Sequence, residues 1–245
     1  MLLKNLKICG ITTPDIARFC ADAGVGALGA VFFAKSPRNV SAAQARAIFD
    51  GIPSGVARVG VFVNATADAM LAIAREAGLT TIQLHGGEPA EVVAVLLDAG
   101  YRVVKVVKRA LDSAGAIAEE IAAIPAGAGV LVECGAGNLP GGNGAAWDWS
   151  AAAPLARMRP FALAGGIDPR NVVEALRCSH AVACDVSSGV ESAPGVKDHG
   201  AILKLVEAVR KSESENGEIG CGKSGSETAN VEWSFWLDAP AKRLA

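Results

Sequence analysis

From the start of the chain to about residue 210, short β-branched runs alternate with Ala-rich stretches of helical periodicity. Runs at 6–9, 27–33, 57–62, 81–84, 102–107, 129–133, 161–164 and 181–186 predict strands, since each is brief, apolar and bounded by turn residues. The stretches between them predict helices over 15–23, 41–50, 66–77, 89–99, 113–123, 149–158, 171–177 and 199–211. Thr13-Pro14-Asp15 reads as an N-cap with proline at the first helical position, and Ser41 and Thr66 are further caps. Gly24, Gly78 and Gly100 stand where helices should stop. Eight βα units in this length predict an α/β fold, a single (β/α)₈ barrel. A doubly wound open sheet is the alternative, but no GxGxxG turn follows the first strand.

Composition fits that reading. Hydrophobic residues make up 51% of the chain and aromatic ones only 5%, so the core is built from Ala, Val, Leu and Ile, as suits a parallel sheet covered by helices. No apolar run reaches the ~18 residues that would span a bilayer. The first seven residues lack the layout of a signal peptide, so a cytoplasmic protein without a membrane partner is expected. A net charge of −2 gives no electrostatic case for nucleic acid. Six cysteines, at 9, 20, 134, 178, 184 and 221, form no CxxC pair and no zinc-type grouping with histidine. No metal is expected, and Cys20, Cys178 and Cys184 read as buried, reduced core residues.

The character changes after Lys211. Residues 212–245 are rich in Ser, Glu and Gly and carry six acids against three bases, while the rest of the chain is net +1. The expected division is therefore a catalytic barrel over 1–211 and a polar, acidic extension over 212–245. Low hydrophobicity predicts disorder for 212–230, and a flexible, undocked extension is the plain expectation. The aromatic group Trp233, Phe235 and Trp236 is a candidate for docking on the barrel or on a partner.

In such a barrel the active site lies at the C-terminal ends of the strands. Cys9 ends the first strand, His85 follows the fourth and Glu133 ends the sixth. Arg38 sits in the turn after the second strand, and Asp185 lies near the end of the eighth. Each has a plain structural alternative: a core cysteine, a loop-bracing histidine or arginine, a surface glutamate, or an aspartate that fixes its own loop. Glycines mark the loops beyond strands six, seven and eight: Gly142 and Gly144, then Gly165 and Gly166, then Gly189 after Ser188. Free backbone N–H groups on such loops suit a phosphate. Ordinary tight turns are the alternative.

Several of these residues belong to longer strings. Lys7-Ile8-Cys9-Gly10-Ile11-Thr12 resembles the opening signature of the phosphoribosylanthranilate isomerase family of tryptophan biosynthesis. The resemblance recurs in order at Ser36-Pro37-Arg38-Asn39-Val40, Gly60-Val61-Phe62-Val63-Asn64 and Gln83-Leu84-His85-Gly86. It continues at Gly141-Gly142-Asn143-Gly144, Trp147-Asp148-Trp149, Leu163-Ala164-Gly165-Gly166-Ile167 and Asp185-Val186-Ser187-Ser188-Gly189-Val190-Glu191.

The resemblance implies an Amadori rearrangement of N-(5-phosphoribosyl)anthranilate to 1-(2-carboxyphenylamino)-1-deoxyribulose 5-phosphate, with no cofactor. An acid opens the furanose ring, and a base removes the proton on sugar C2. It assigns Cys9 as the base, and Lys7, two residues back on the same strand face, should lower the thiol pKa. The family has Asp where this chain has Glu133, so the acid is carried one methylene further out. Glu133 then needs a pKa raised by burial. Arg38 becomes the partner of the anthranilate carboxylate, and His85 and Asp185 line the substrate pocket. A related histidine-pathway isomerase, an indole-glycerol-phosphate synthase and a non-catalytic phosphosugar-binding barrel are the alternatives. The first two families usually place Asp or Lys where Cys9 stands. The residues fit a monomer or a homodimer equally.

Overall fold

A computed structural model describes residues 2–108, 114–133, 148–216 and 234–238. Eight parallel strands close in sequence order into a barrel: β1 (Leu3–Cys9), β2 (Val25–Phe32), β3 (Ala57–Phe62), β4 (Thr81–Leu84), β5 (Arg102–Lys108), β6 (Gly129–Glu133), β7 (Phe161–Ala164) and β8 (Ala183–Val186). Around them lie α1 (Pro14–Ala23), α2 (Ala42–Phe49), α3 (Ala67–Ala77), α4 (Ala90–Asp98), α5 (Ala114–Ala123), α6 (Val172–Ser179) and α7 (His199–Asn216). The helix ends follow their local chemistry. Thr13, Ser41 and Thr66 accept the capping N–H bonds, Ser41 and Gln44 complete a capping box, and Gly24 and Gly78 close α1 and α3 in the left-handed conformation.

Residues 149–158, read as an α-helix, form a 3₁₀ segment, Trp149–Arg157, with Pro154 inside it. Proline removes an i→i−4 donor and clashes with the preceding turn, which disfavours a regular α-helix there. Beyond β8 the chain turns through a short 3₁₀ segment (Ser188–Val190) into a hairpin of β9 (Glu191–Ala193) and β10 (Val196–Lys197), which no periodicity announced. Helix α7 continues past Lys211 to Asn216. Cys20 and Cys184 are buried as expected, whereas Cys178 is only half-buried, its thiol 2.9 Å from Glu174.

Strand alternation makes two cores. One lies between the strands and the helices. The other fills the barrel interior, with Ala27, Ala57, Val59, Val104, Leu131, Ala162 and Ala183 around Phe235 and Trp236. The extension thus returns to the barrel, with residues 234–238 forming a turn at its N-terminal mouth, while Trp233 lies outside the described residues. At the opposite mouth the ends of the strands open into a cleft.

Candidate active site

The period of two along β1 turns Lys7 and Cys9 to the same side, into the barrel. Lys7 pairs in register with Asp185 of β8, and Cys9 with Gly29 of β2. Lys7 Nζ donates to Asp185 Oδ2 at 2.7 Å, and the ammonium lies near enough to Cys9 to act on the thiol's charge. Gly29 makes this crowding feasible. A Cβ at that position would stand 3.0 Å from Cys9 Sγ and 3.1 Å from Lys7 Nζ.

Burial pushes the Cys9 thiol above its ordinary pKa. The ammonium of Lys7 pulls it down, Asp185 pushes it further up, and Lys197 pulls it down again, but burial prevails. The expected help from Lys7 is therefore present and outweighed. Lys7 itself is fully buried. Burial disfavours its charge, but Asp185 and Cys9 more than offset that and hold it above its ordinary value.

Across the cleft, Glu133 closes β6 with its Oε2 2.9 Å from His85 Nε2 and 3.9 Å from Lys108 Nζ. Burial raises this carboxyl, yet the His85 contact, then the charges of Lys108 and Lys7, bring it below the usual glutamate value. That overturns the expectation of a raised pKa at Glu133, because a cationic or donor neighbour outweighs desolvation. Gln83 Nε2 lies 3.4 Å from His85 Nδ1 on the same strand face and steadies the ring. Glu88 holds the backbone that follows, accepting from Gly86 N and Asn64 N while paired with Lys105 Nζ at 2.9 Å.

Arg38 reaches the cleft with two of its donors already engaged. Its Nε and one terminal nitrogen form a fork on Glu191, at 2.8 and 2.6 Å. Lys197 Nζ, brought back by the hairpin, shares the same carboxylate at 2.7 Å and donates to Ser187 O at 3.0 Å. The remaining donors of the guanidinium leave an edge for a second carboxylate.

The β7 and β8 loops lie side by side on the cleft rim. Gly165 and Gly166 have φ of +94° and +68°, a conformation that strongly favours glycine. Their carbonyls accept from Trp149 Nε1 and Asn171 Nδ2. Ser187 and Ser188 line the cleft beside them, and Gly189 packs so tightly on the Ile167 carbonyl that a side chain has no room. Gly142 and Gly144 lie outside the described residues. The structure therefore gathers Cys9, Arg38, His85, Glu133, Gly165, Gly166, Asp185 and Ser188 around one cleft, with Gly189 immediately behind it. Val31, Phe33, Val61, Val63 and Ile167 provide an apolar wall.

Comparison with known proteins converges on one family. The sequence model described as N-(5'phosphoribosyl)anthranilate (PRA) isomerase matches residues 6–208. The chain belongs to this family. The N-(5'-phosphoribosyl)anthranilate isomerase of Desulfatibacillum aliphaticivorans is 41% identical over 205 residues, 83% of this chain and 91% of that one. Phosphoribosyl anthranilate isomerase from Thermotoga maritima superposes with a TM-score of 0.77 at 35% identity, covering 86% of this chain and all of that one. A solved phosphoribosyl anthranilate isomerase in complex with reduced 1-(o-carboxyphenylamino)-1-deoxyribulose 5-phosphate gives 0.74 at 34%, with the same coverage. The protein is an isomerase of tryptophan biosynthesis, acting on N-(5'-phosphoribosyl)anthranilate.

Three groups at or behind the isomerase's cleft escaped the sequence reading in their roles. Glu191 and Lys197 stood in or near quoted strings, but only the hairpin shows that they share a carboxylate contact with Arg38. Gln83 was recorded as part of the β4 motif, and its two-residue spacing to His85 was the available signal. Among the described residues no cluster could hold a metal ion, and no helix is long and apolar enough to cross a membrane.

Proposed function

We propose that Cys9 is the base and Glu133, with His85, the acid of the Amadori rearrangement in this isomerase. One observation carries the assignment: a thiol held by a buried ammonium and a carboxyl held by an imidazole face one cleft from β1 and from β6. Proton transfer from Glu133 to the furanose oxygen breaks the C1–O bond and leaves a protonated imine. The Cys9 thiolate then takes the C2 proton, and the electron pair of that C–H bond neutralises the imine to an enolamine. Protonation at C1 and loss of the hydroxyl proton give the ketone, so no electrons enter or leave.

The productive state has the thiol ionised and the carboxyl protonated, the reverse of what each prefers in the empty cleft. Binding helps on the acid side, since the substrate's negative charge entering the same cleft favours the protonated form of Glu133. Lys7 and Lys197 support the thiolate. Arg38 binds the anthranilate carboxylate through its free edge, the apolar wall takes the aromatic ring, and Asp185 fixes Lys7 while lining the sugar site. Gly165, Gly166, Ser188 and Gly189 form the phosphate cradle, with Gly142 and Gly144 assigned to it from the sequence.

The barrel over 1–211 is the catalytic unit in this reading, and the cytoplasm is its compartment, in keeping with four free thiols among the described residues. The direct test follows the fluorescence decay of N-(5-phosphoribosyl)anthranilate generated in situ. Enzyme-dependent decay to the ketose supports the reading, and tight binding without decay would make the barrel a binding protein instead.

A further inference from the structure

The floor of this barrel is built from outside the residues that the family shares. The family match ends at residue 208, yet Phe235 and Trp236 occupy the N-terminal mouth, 1% and 0% exposed. Interiors of such barrels are ordinarily filled by bulky branched side chains from the strands. Here Ala27, Ala57, Ala162 and Ala183 face the space instead, and the two aromatic rings fill it.

The segment is secured by specific bonds as well as by packing. Thr81 Oγ1 donates to Trp236 O at 2.6 Å, Arg102 Nε to Phe235 O at 3.1 Å, and Phe235 N to Asn5 Oδ1 at 3.0 Å. The partners come from the starts of β1, β4 and β5, so the turn is stitched across the mouth.

The Trp236 ring also meets the catalytic machinery. Lys7 Nζ stands over its face, 5.3 Å from the ring centroid, while the same ammonium binds Asp185 and shares the space over Gly29 with the Cys9 thiol. A fully buried ammonium is held by whatever lines its site, and among aromatic side chains the indole face attracts a cation most strongly. We propose that Trp236 is a positioning residue for the isomerisation: its ring forms the buried floor under Lys7 and holds the ammonium against Asp185 and beside Cys9. The C-terminal extension then completes an active site that opens at the other end of the barrel. The inference rests on the reading of Cys9 as the base.

Weakening the ring face without changing its volume tests it. Site-specific replacement of Trp236 by tryptophans of increasing fluorination in the full chain should lower kcat progressively, by about tenfold over the series, with KM unchanged. The pH midpoint for iodoacetamide alkylation of Cys9 should shift in step, a readout that a filler of space would not move. The charged groups acting on that thiol are Lys7 on its own strand, Asp185 on β8, Lys197 on β10 and Arg38 in the loop after β2, and the substitution leaves all four in place. Trp236→Phe, which keeps an aromatic face, should retain activity to within a few-fold, while Trp236→Leu should not. A flat fluorination series in both kcat and alkylation would overturn the proposal, as would full activity in Trp236→Leu. Cys9→Ala separates the two claims. If that variant turns over normally the base assignment fails, whereas the alkylation midpoint of the Trp236 variants still reports whether the ring governs the Lys7–Cys9 pair.

Discussion

His85 Nε2 lies 2.9 Å from Glu133 Oε2, and this contact joins the ends of two strands that are not neighbours in the barrel. It draws the proposed acid towards one wall of the cleft and holds its proton affinity down. Glu133→Gln, which keeps the shape and removes the transferable proton, should lower kcat by about 10²–10⁴-fold. Glu133→Asp should stay within about tenfold of the parent, since the family places Asp at this point. Steady-state rates of the two variants check this, and equal losses in both would show a site readapted to the longer side chain.

Lys7 is fully buried between Asp185 and Cys9 and lowers the thiol's proton affinity against the effect of burial. The productive enzyme pairs a thiolate whose pKa is raised with a protonated carboxyl whose pKa is lowered, so the two titrations cancel. The value of kcat/KM should stay level through the neutral range and bend down on the alkaline limb where Cys9 ionises. Removing the ammonium takes away a lowering influence, so in Lys7→Met the limb should move to still higher pH. The variant should also lose about 3–5 kcal/mol of stability, the usual cost of leaving a buried partner charge, here Asp185, unpaired. Alkylation rate against pH and denaturant unfolding read the two effects separately.

Gly29 offers a test of geometry alone. Its added methyl in Gly29→Ala would press on Cys9 Sγ and Lys7 Nζ from 3.0 and 3.1 Å without altering any charge. Displacement of a reacting group by an ångström can cost about 10²-fold, so kcat should fall by 10- to 100-fold on that scale, with KM little changed. An unaltered kcat would show that the thiol has freedom the crowding denies.

Arg38 is braced by Glu191, which also takes Lys197. A hydrogen bond to a charged group contributes about 1.5–3 kcal/mol, so Arg38→Met should raise KM by about 10- to 100-fold, with a smaller change in kcat. Glu191→Gln should move KM in the same direction, through loss of the fork that aims the guanidinium. Parallel kinetics on both variants decide whether the bracing matters.

What the sequence showed, and what it withheld, follows from the range of each interaction. Strands β3, β4, β6 and β7 have the bounds their apolar runs predicted, and Thr13, Ser41 and Thr66 cap as expected, because these features depend on a few adjacent residues. The Lys7–Cys9 alliance was legible from a period of two. The sign of the Glu133 shift was not, since it depends on His85, 48 positions away and on another strand. Burial alone, the influence that sequence can anticipate, points the other way. Nor did the chain disclose that four alanines on four strands leave room for Trp236. The aromatic group was visible as a docking candidate, but the cavity that receives it exists only once the barrel closes.

The proposed chemistry turns on removal of the C2 proton by Cys9. The measurement that bears on it most directly is turnover by Cys9→Ala, read from the fluorescence decay of in-situ-generated substrate, beside binding of the reduced product analogue. Cys9→Ala should lose about 10²–10⁴-fold in kcat while binding the analogue as tightly as the parent enzyme. Turnover at the parent rate by Cys9→Ala would contradict the assignment of Cys9 as the base.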